Sequence, residues 1–358
     1  MKKRTLLLLS LVFLTGCSFV FNQPIVGPNG TIAFFLDNEG AYSLLPEGEG
    51  KLTLLHEERV VQLAGVTSTG HSGVLDWSVD GKELIFIETE TGEWGMPSAF
   101  NLCITGVQSD SHPVTLFHLE DLILAPAFTP EGDITYLRFG DDDEAPQLFL
   151  YARAENTHTQ LLADVLSYQP IRPGSMLSII RVTTEGEVRL ARVSTYESRT
   201  GTMEEVASFF LTKEMEETFF LLPVSFLWDL DPSERYLALV LYNQVLITPK
   251  VEESEPSLYL IDREDETGKL IADMGLIPTF SPDGSLLAYI GSNDGQTPYI
   301  YLYRLETGER DYLEETTGVS TMFWIDEETL GFTIETDEEI YQLLKISLDT
   351  KEVTPLLP

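Results

Sequence analysis

Cysteine and basic residues are both scarce in this sequence of 358 residues. It contains 2 cysteines, Cys17 and Cys103, and its 22 lysines and arginines face 58 acidic residues, which gives a formal net charge of −36. Such a surface repels phosphate backbones, so it excludes nucleic acid as a partner and favours cationic partners or divalent ions. The acidic residues are spread along the chain, which is also typical of a solvated acidic surface.

Long apolar runs are absent as well. The longest, residues 6–14, has about 9 residues, whereas a membrane-spanning helix needs about 20. It follows a positively charged start formed by Lys2, Lys3 and Arg4. A basic start followed by a short apolar segment predicts a secretory signal peptide and not a membrane helix.

The four residues after that segment resemble the bacterial lipobox, the site at which lipoprotein signal peptidase cuts. They are Leu14, Thr15, Gly16 and Cys17. The resemblance implies cleavage before Cys17 and a diacylglycerol thioether on its sulfur, so that lipid holds the protein to a membrane. We therefore expect a signal peptide at residues 1–16 and a short tether at residues 17–24. The alternative is an ordinary secretory signal with a chance cysteine.

The same resemblance predicts an extracytoplasmic location. Ser18, and not aspartate, follows the lipidated cysteine. In a bacterium with two membranes this is similar to an outer-membrane sorting signal; otherwise the anchor is the outer face of the plasma membrane.

Loss of residues 1–16 leaves Cys103 as the only cysteine besides the lipidated one, which excludes an intramolecular disulfide. Stability must then come from a packed apolar core, and 43% hydrophobic residues suffice for one. Cys103 lies in a strand-like run at residues 101–105, where a buried structural thiol is expected and a nucleophile is not.

An aromatic residue, a tight turn and an apolar strand recur along the chain. The clearest copy precedes the strand at residues 286–290 and consists of Phe280, Ser281, Pro282, Asp283 and Gly284. Proline presets φ, aspartate bonds back to the backbone, and glycine takes the position with φ > 0. Weaker copies contain Trp77, Asp80 and Gly81; Phe128, Pro130 and Gly132; Trp228, Asp231 and Pro232; and Trp324. A first copy lies at residues 27–30 and a degenerate one at residues 172–174.

The copies recur about every 48 residues, which is typical of β-propeller blades with four short strands. Helical periodicity is almost absent; residues 203–217 fit either a short helix or the outer strand of a blade. We therefore predict an all-β fold, a single propeller over residues 25–358. Counting turns gives seven blades, with six as the main alternative and eight as a further one. The repeated aromatic residues are then expected to form the core between blades.

These residues resemble the WD-like repeats of TolB-type propellers, in which a Ser-Pro-Asp-Gly turn joins the first two strands of a blade. The resemblance covers residues 25–353, and the copy at residues 280–284 is the one close to the family pattern. TolB itself has an α/β domain before its propeller. The first copy here begins about ten residues after Cys17, and we expect no such domain. The resemblance therefore implies the fold and does not transfer the role or partners of TolB.

Catalytic and metal-binding motifs are weak. Residues 70–74 miss the final glycine of a nucleophile elbow, and His56 lacks the second histidine of a zinc-protease helix. The five histidines are scattered, and surface or loop positions are expected for them. The densest acidic cluster, which could hold Ca²⁺ or form a solvated turn, contains Asp141, Asp142 and Asp143.

The expected function is a non-catalytic binding or scaffold module of the cell envelope, monomeric, with an envelope protein as its partner. One alternative is a hydrolase or lyase acting on glycans or lactones through carboxylates or Ca²⁺ in the central channel; another is a surface receptor for a small ligand. Histidines and carboxylates gathered at one channel mouth would favour the enzyme. Apolar and small side chains would favour the binding module.

Overall fold

The computed structural model describes residues 24–36, 42, 49–56, 59–69, 75–91, 97–109, 111–140, 145–171, 176–185, 188–210, 228–241, 257–265, 267–292, 297–335 and 341–357. These residues form seven antiparallel sheets of four strands each, and every sheet uses four consecutive strands. The seven blades predicted from the turn motif are confirmed, as is the all-β class.

The first three blades contain strands β1 to β12. Blade 1 is formed by β1 to β4, at Ile25–Val26, Ile32–Leu36, Glu49–His56 and Arg59–Thr69. Blade 2 is formed by β5 to β8, at Leu75–Trp77, Glu83–Thr91, Pro97–Gly106 and Val114–Leu119. Blade 3 is formed by β9 to β12, at Leu122–Phe128, Ile134–Phe139, Gln147–Ala152 and Thr157–Leu162.

Blades 4 and 5 contain strands β13 to β20. Blade 4 is formed by β13 to β16, at Val165–Pro170, Met176–Glu185, Val188–Glu197 and Thr202–Phe210. Blade 5 is formed by β17 to β20, at Trp228–Leu230, Tyr236–Leu241, Ser257–Asp262 and Thr267–Ala272. Of the segment that fitted either a helix or an outer strand, residues 203–210 belong to β16, the outer strand of blade 4; residues 211–217 lie outside the described residues.

The last two blades contain strands β21 to β28. Blade 6 is formed by β21 to β24, at Gly275–Phe280, Leu286–Gly291, Tyr299–Arg304 and Arg310–Leu313. Blade 7 is formed by β25 to β28, at Val319–Trp324, Thr329–Glu335, Tyr341–Ser347 and Val353–Pro355. In the described part of the chain, helix is limited to a single 3₁₀ turn at Glu314–Thr316.

The position of a strand within its blade explains its composition. The second strands β2 and β22 are buried along their whole length and consist mostly of apolar residues, because a blade lies against each of their faces. The outermost strand β12 starts with four exposed residues. The sheets are therefore apolar inside and polar at the rim.

The Ser-Pro-Asp-Gly turn works as its chemistry predicts. The amide N–H of Leu286 donates to Ser281 Oγ at 3.0 Å, the amide N–H of Ser285 donates to Asp283 Oδ1 at 3.0 Å, and Gly284 has a φ of 72°. In blade 2, Lys82 donates its amide N–H to Ser78 Oγ at 3.1 Å, and Gly81 has a φ of 67°. In blades 2 and 6 this turn directly follows the innermost strand.

The apolar core lies mainly between blades. Trp77 of blade 2 packs with Phe35 of blade 1, and Phe128 of blade 3 packs in one cluster with Ile87 of blade 2. The ring closes where Phe323 of blade 7 joins the cluster of Phe34 of blade 1. Since each sheet uses consecutive strands, the described residues show no strand shared between the first and last blades, and side chains hold this junction.

Candidate functional site

The innermost strands surround a central channel, and one of its mouths contains a cavity of about 440 Å³. Residues of blades 1, 2, 4, 5, 6 and 7 line it, mostly from the ends of innermost strands, next to the turn motif. A cavity of this size lies within the range of about 300–1,000 Å³ that is typical of ligand sites.

Much of the cavity wall is apolar. Trp77, Ile277, Met322, Phe323 and Trp324 contribute to it. The ring of Phe323 lies over Gly331 of the neighbouring strand, where a Cβ atom would be well inside van der Waals distance of the ring. Glycine at this position therefore allows an aromatic side chain to lie flat in the channel wall.

Polar side chains in the wall connect each blade to the next. Asp76 Oδ2 accepts a hydrogen bond from the amide N–H of Phe128 at 2.8 Å, and Asp229 Oδ2 accepts one from Phe280 at 2.8 Å. Both bonds run from one blade to the following blade, at the same position of the repeat. The two carboxylates are consequently held in place by backbone donors.

Ring N–H groups make the reverse connection, from a blade to the preceding one. Trp77 Nε1 donates to the carbonyl of Ile25 at 3.3 Å, and Trp324 Nε1 donates to that of Thr279 at 3.2 Å. Hydrogen bonds between blades thus fix the channel mouth from both directions, which preorganises the cavity.

The ionisation of Asp229 is strongly affected by its surroundings. Burial raises the pKa of its carboxyl to about 7, and the adjacent charge of Asp231 acts in the same direction; hydrogen bonds from the amides of Phe280 and Leu230 oppose them. Asp231 lies in the turn, where its carboxylate accepts hydrogen bonds from the amides of Ser233 and Tyr236. Asp231 therefore holds the turn, whereas Asp229 faces the cavity.

Two further features mark this cavity. The side chain of Ser178 is fully buried, and its Oγ has no hydrogen-bond partner among the described residues. Ile277 has a φ of 53°, a left-handed conformation that is strained for a β-branched residue, at an irregularity in β21. Strained backbone and unsatisfied polar atoms are features that functional sites retain.

The repeated aromatic residues are all buried, and all but Trp228 occupy the same position in their strands. Trp77, Phe128, Phe280 and Trp324 each stand last in an innermost strand. Trp228 is fully buried but lies two residues earlier, and Leu230 takes the last position. Trp228 donates its Nε1–H to Ser167 Oγ of blade 4 at 3.0 Å.

Asp231 of blade 5 corresponds to Ser281 of blade 6, and not to Asp283. The amide N–H of Asp231 donates to the carbonyl of Tyr236, and the amide N–H of Ser281 donates to the carbonyl of Leu286 in the same way. Pro232 then follows as Pro282 does. In blade 3, Gly132, after Pro130, has a φ of 87°, and Asp80 of blade 2 pairs with Lys82.

Other predicted residues lie away from the cavity or outside the description. Cys103 is buried, and burial raises the pKa of its thiol to about 12. His56, His118 and His158 lie on strands of three different blades and His112 is exposed; none of the four lines the cavity. The lipobox and the candidates for a nucleophile elbow and for Ca²⁺ lie outside the described residues: Leu14, Thr15, Gly16, Cys17, residues 70–74 with His71, Asp141, Asp142 and Asp143.

Sequence reasoning missed Asp76, Gln169, Asp229 and Ser178 as cavity residues. A signal for the first three exists: together with Thr279 they stand just before the last residue of the innermost strand, so a polar residue recurs there in four of the seven blades. Ser178 belongs to β14, the second strand of blade 4, and the sequence of β14 resembles that of any buried strand.

Two kinds of feature are absent from the part of the chain that the structure describes. In that part of the chain, no three His, Cys, Asp or Glu side chains come together as a metal site would require. No helix there is long and apolar enough to cross a membrane.

No protein-family model and no curated protein sequence matches the chain. Among solved structures, the β-propeller domain of the trilobed protease from Pyrococcus furiosus, which has an open velcro topology, is similar. The likeness covers 96% of this chain and 97% of that chain, with a TM-score of 0.62 and 11% identity.

Two further structures are similar to a lesser degree. An oligogalacturonate lyase in complex with manganese matches 95% of this chain and 86% of its own, with a TM-score of 0.57 and 13% identity. TolB from Acinetobacter baumannii matches 87% of this chain and 77% of its own, with a TM-score of 0.47 and 13% identity. At these identities the likenesses show the fold, and function has to be argued from the site.

Proposed function

We propose that this protein is an extracytoplasmic lipoprotein, anchored through Cys17, whose propeller binds a protein partner of the cell envelope at the channel mouth. The observation that carries the proposal is the preorganised cavity: apolar and polar side chains share its wall, and backbone donors of the next blade hold Asp76 and Asp229. A site that is rigid before binding loses little conformational entropy when a partner enters.

The tether supports a partner close to the membrane. Six residues lie between Cys17 and Pro24, which lines the cavity, and an extended chain over this distance spans at most about 25 Å. A lipid on Cys17 would therefore hold the channel mouth within reach of proteins in or on the same membrane.

The test is affinity capture of the full lipidated protein from crosslinked membranes, followed by mass spectrometry. Ile171→Arg places a long cationic side chain at the cavity, and Val114→Arg places one on the outer strand of blade 2, where Val114 is 58% exposed. We expect one near-stoichiometric envelope protein with the wild type and with Val114→Arg, and its loss with Ile171→Arg. An empty capture, or equal capture by both variants, would refute binding at the channel mouth.

The second candidate is an enzyme, a lyase or hydrolase acting on glycans. Asp229 favours it, because a cavity carboxyl with a pKa near 7 suits a general base at neutral pH, and one structure of similar fold is an oligogalacturonate lyase. Incubation with oligogalacturonate tests it: absorbance detects the unsaturated product of a lyase, and a reducing-sugar assay detects the new reducing end that either enzyme creates. Turnover that disappears in Asp229→Asn would establish the enzyme and displace the binding module.

A further inference from the structure

The unpaired hydroxyl of Ser178 indicates what the cavity accepts. A buried polar atom without a hydrogen bond costs about 1–3 kcal/mol, so native proteins retain few of them without a water or ligand. Ser178 is fully buried, it lines the cavity, and its Oγ lacks a partner among the described residues. Its neighbours in the channel wall define which chemistry can supply that partner.

Ser178 is connected to Asp229 through two intervening residues, Gln169 and Trp228. Ser178 is directly opposite Gln169 in the β13–β14 ladder, and Gln169 Nε2 donates to the carbonyl of Trp228 at 2.9 Å. Trp228 immediately precedes Asp229. This chain of contacts brings the serine hydroxyl of blade 4 and the carboxylate of blade 5 to neighbouring parts of the same wall.

The charge of the cavity selects a cation. Its lining contains the carboxylates of Asp76, Asp229 and Asp231, and no lysine, arginine or histidine is among the described residues that line it. Each oxygen of Asp229 accepts one backbone N–H, from Leu230 at 3.0 Å and from Phe280 at 2.8 Å. A carboxylate oxygen accepts about two hydrogen bonds, so both retain capacity for a further donor.

We propose that the cavity binds an alkylammonium group, supplied by a lysine side chain of the partner, with Asp229 and Ser178 Oγ as acceptors. This inference rests on the proposed binding function and names the group that is recognised. An ammonium has three donors and no acceptor, which matches a carboxylate beside a hydroxyl. The apolar wall formed by Ile277, Met322 and Trp324 covers the four methylene groups of such a side chain.

The test is isothermal titration calorimetry of the full lipidated protein in detergent at pH 8. The probe is Nα-acetyl-lysine-N-methylamide, in which the side-chain ammonium is free. Acetyl-norleucine-methylamide, which lacks the ammonium, is the matched ligand, and n-pentylamine represents a free amine. We expect the norleucine derivative to bind at least tenfold more weakly than the lysine derivative. Tighter binding of n-pentylamine than of the lysine derivative would overturn the assignment to a lysine side chain.

Three variants locate the binding. Asp229→Asn is expected to weaken lysine binding at least tenfold and Ser178→Ala three- to tenfold. Glu327→Gln removes one exposed charge from a turn of blade 7 and is expected to leave binding unchanged. Circular dichroism checks that each variant is folded; Ser178→Ala, which removes one atom, suffices if Asp229→Asn does not fold. Unchanged binding in Ser178→Ala would show that the hydroxyl holds water only and overturn its assignment.

The two proposals fail in different ways. If membranes yield a partner that Ile171→Arg loses, but lysine and norleucine derivatives bind equally, the binding function stands and the ammonium site is wrong. If neither a partner nor the lysine derivative binds, both are wrong.

Discussion

The carboxylate of Asp229, on the innermost strand of blade 5, accepts a hydrogen bond from the amide N–H of Phe280 on blade 6. Asp76 and Phe128 repeat this contact between blades 2 and 3. Each bond satisfies a backbone donor and simultaneously fixes a carboxylate at the channel. The same residues therefore assemble the ring and form the candidate site, and changes to them should affect both stability and binding.

Asp229→Asn should change how stability depends on pH. Burial raises the pKa of Asp229 to about 7 in the folded protein, whereas an exposed aspartate has a pKa of 3.8. Between these values the folded state holds a proton that the unfolded state has lost, so stability falls as pH rises from about 4 to 7. The full cost at pH 8 is on the order of 2–4 kcal/mol. Urea unfolding at pH 5 and pH 8 should show a smaller decrease for the variant than for the wild type; equal decreases would contradict the raised pKa.

Trp228→Phe should destabilise the junction between blades 4 and 5. The substitution keeps a buried ring and removes the hydrogen bond from Nε1 to Ser167 Oγ, which leaves a buried hydroxyl unpaired. We expect a loss of about 1–3 kcal/mol in the free energy of unfolding. A double-mutant cycle with Ser167→Ala checks it, because independent effects of the two substitutions would show that the bond contributes nothing.

Gly331→Ala should disturb the channel wall. The added methyl group would collide with the ring of Phe323, and overpacking of this kind typically costs about 1–3 kcal/mol. Gly268→Ala is the matched control, because Gly268 is also in a strand and a Cβ there meets no atom within 4 Å. Thermal melting should show a lower midpoint for Gly331→Ala than for the wild type, and an unchanged midpoint for Gly268→Ala. Equal midpoints of the two variants would refute the close contact.

The thiol of Cys103 should be unreactive in the folded protein. It is fully buried, and its pKa of about 12 leaves almost no thiolate at neutral pH. In a Cys17→Ser variant, a thiol reagent should label no cysteine at pH 8 until denaturant is added, and then one per chain. Fast labelling without denaturant would contradict the buried position.

Cys17→Ser should also abolish membrane attachment. Because the lipobox resemblance implies a thioether at this sulfur, we expect labelled palmitate to enter the wild type and not the variant, and the variant to leave the membrane fraction. Cys103→Ala, which removes the other cysteine, serves as the control and should retain the label. Label in Cys17→Ser would refute lipidation at this residue.

Turn chemistry made the blade number predictable, because Ser281, Asp283 and Gly284 determine their turn through local contacts. Blade 5 shows where this reasoning weakens: Trp228 and Asp231 have the expected residue types, but their hydrogen bonds shift the register by two positions relative to blade 6. Ser178 could not be predicted as a cavity residue, because its role depends on contacts between blades that the periodicity of one strand does not encode.

The consecutive order of the strands has a consequence for how the chain folds. Every hydrogen-bonded ladder joins neighbouring segments, so a blade can form from local contacts with little loss of loop entropy. The apolar cluster that contains Phe34 and Phe323, in contrast, joins opposite ends of the sequence. We therefore expect the blades to form early and the junction between blades 7 and 1 to close last, so that mutations at this junction mainly accelerate unfolding.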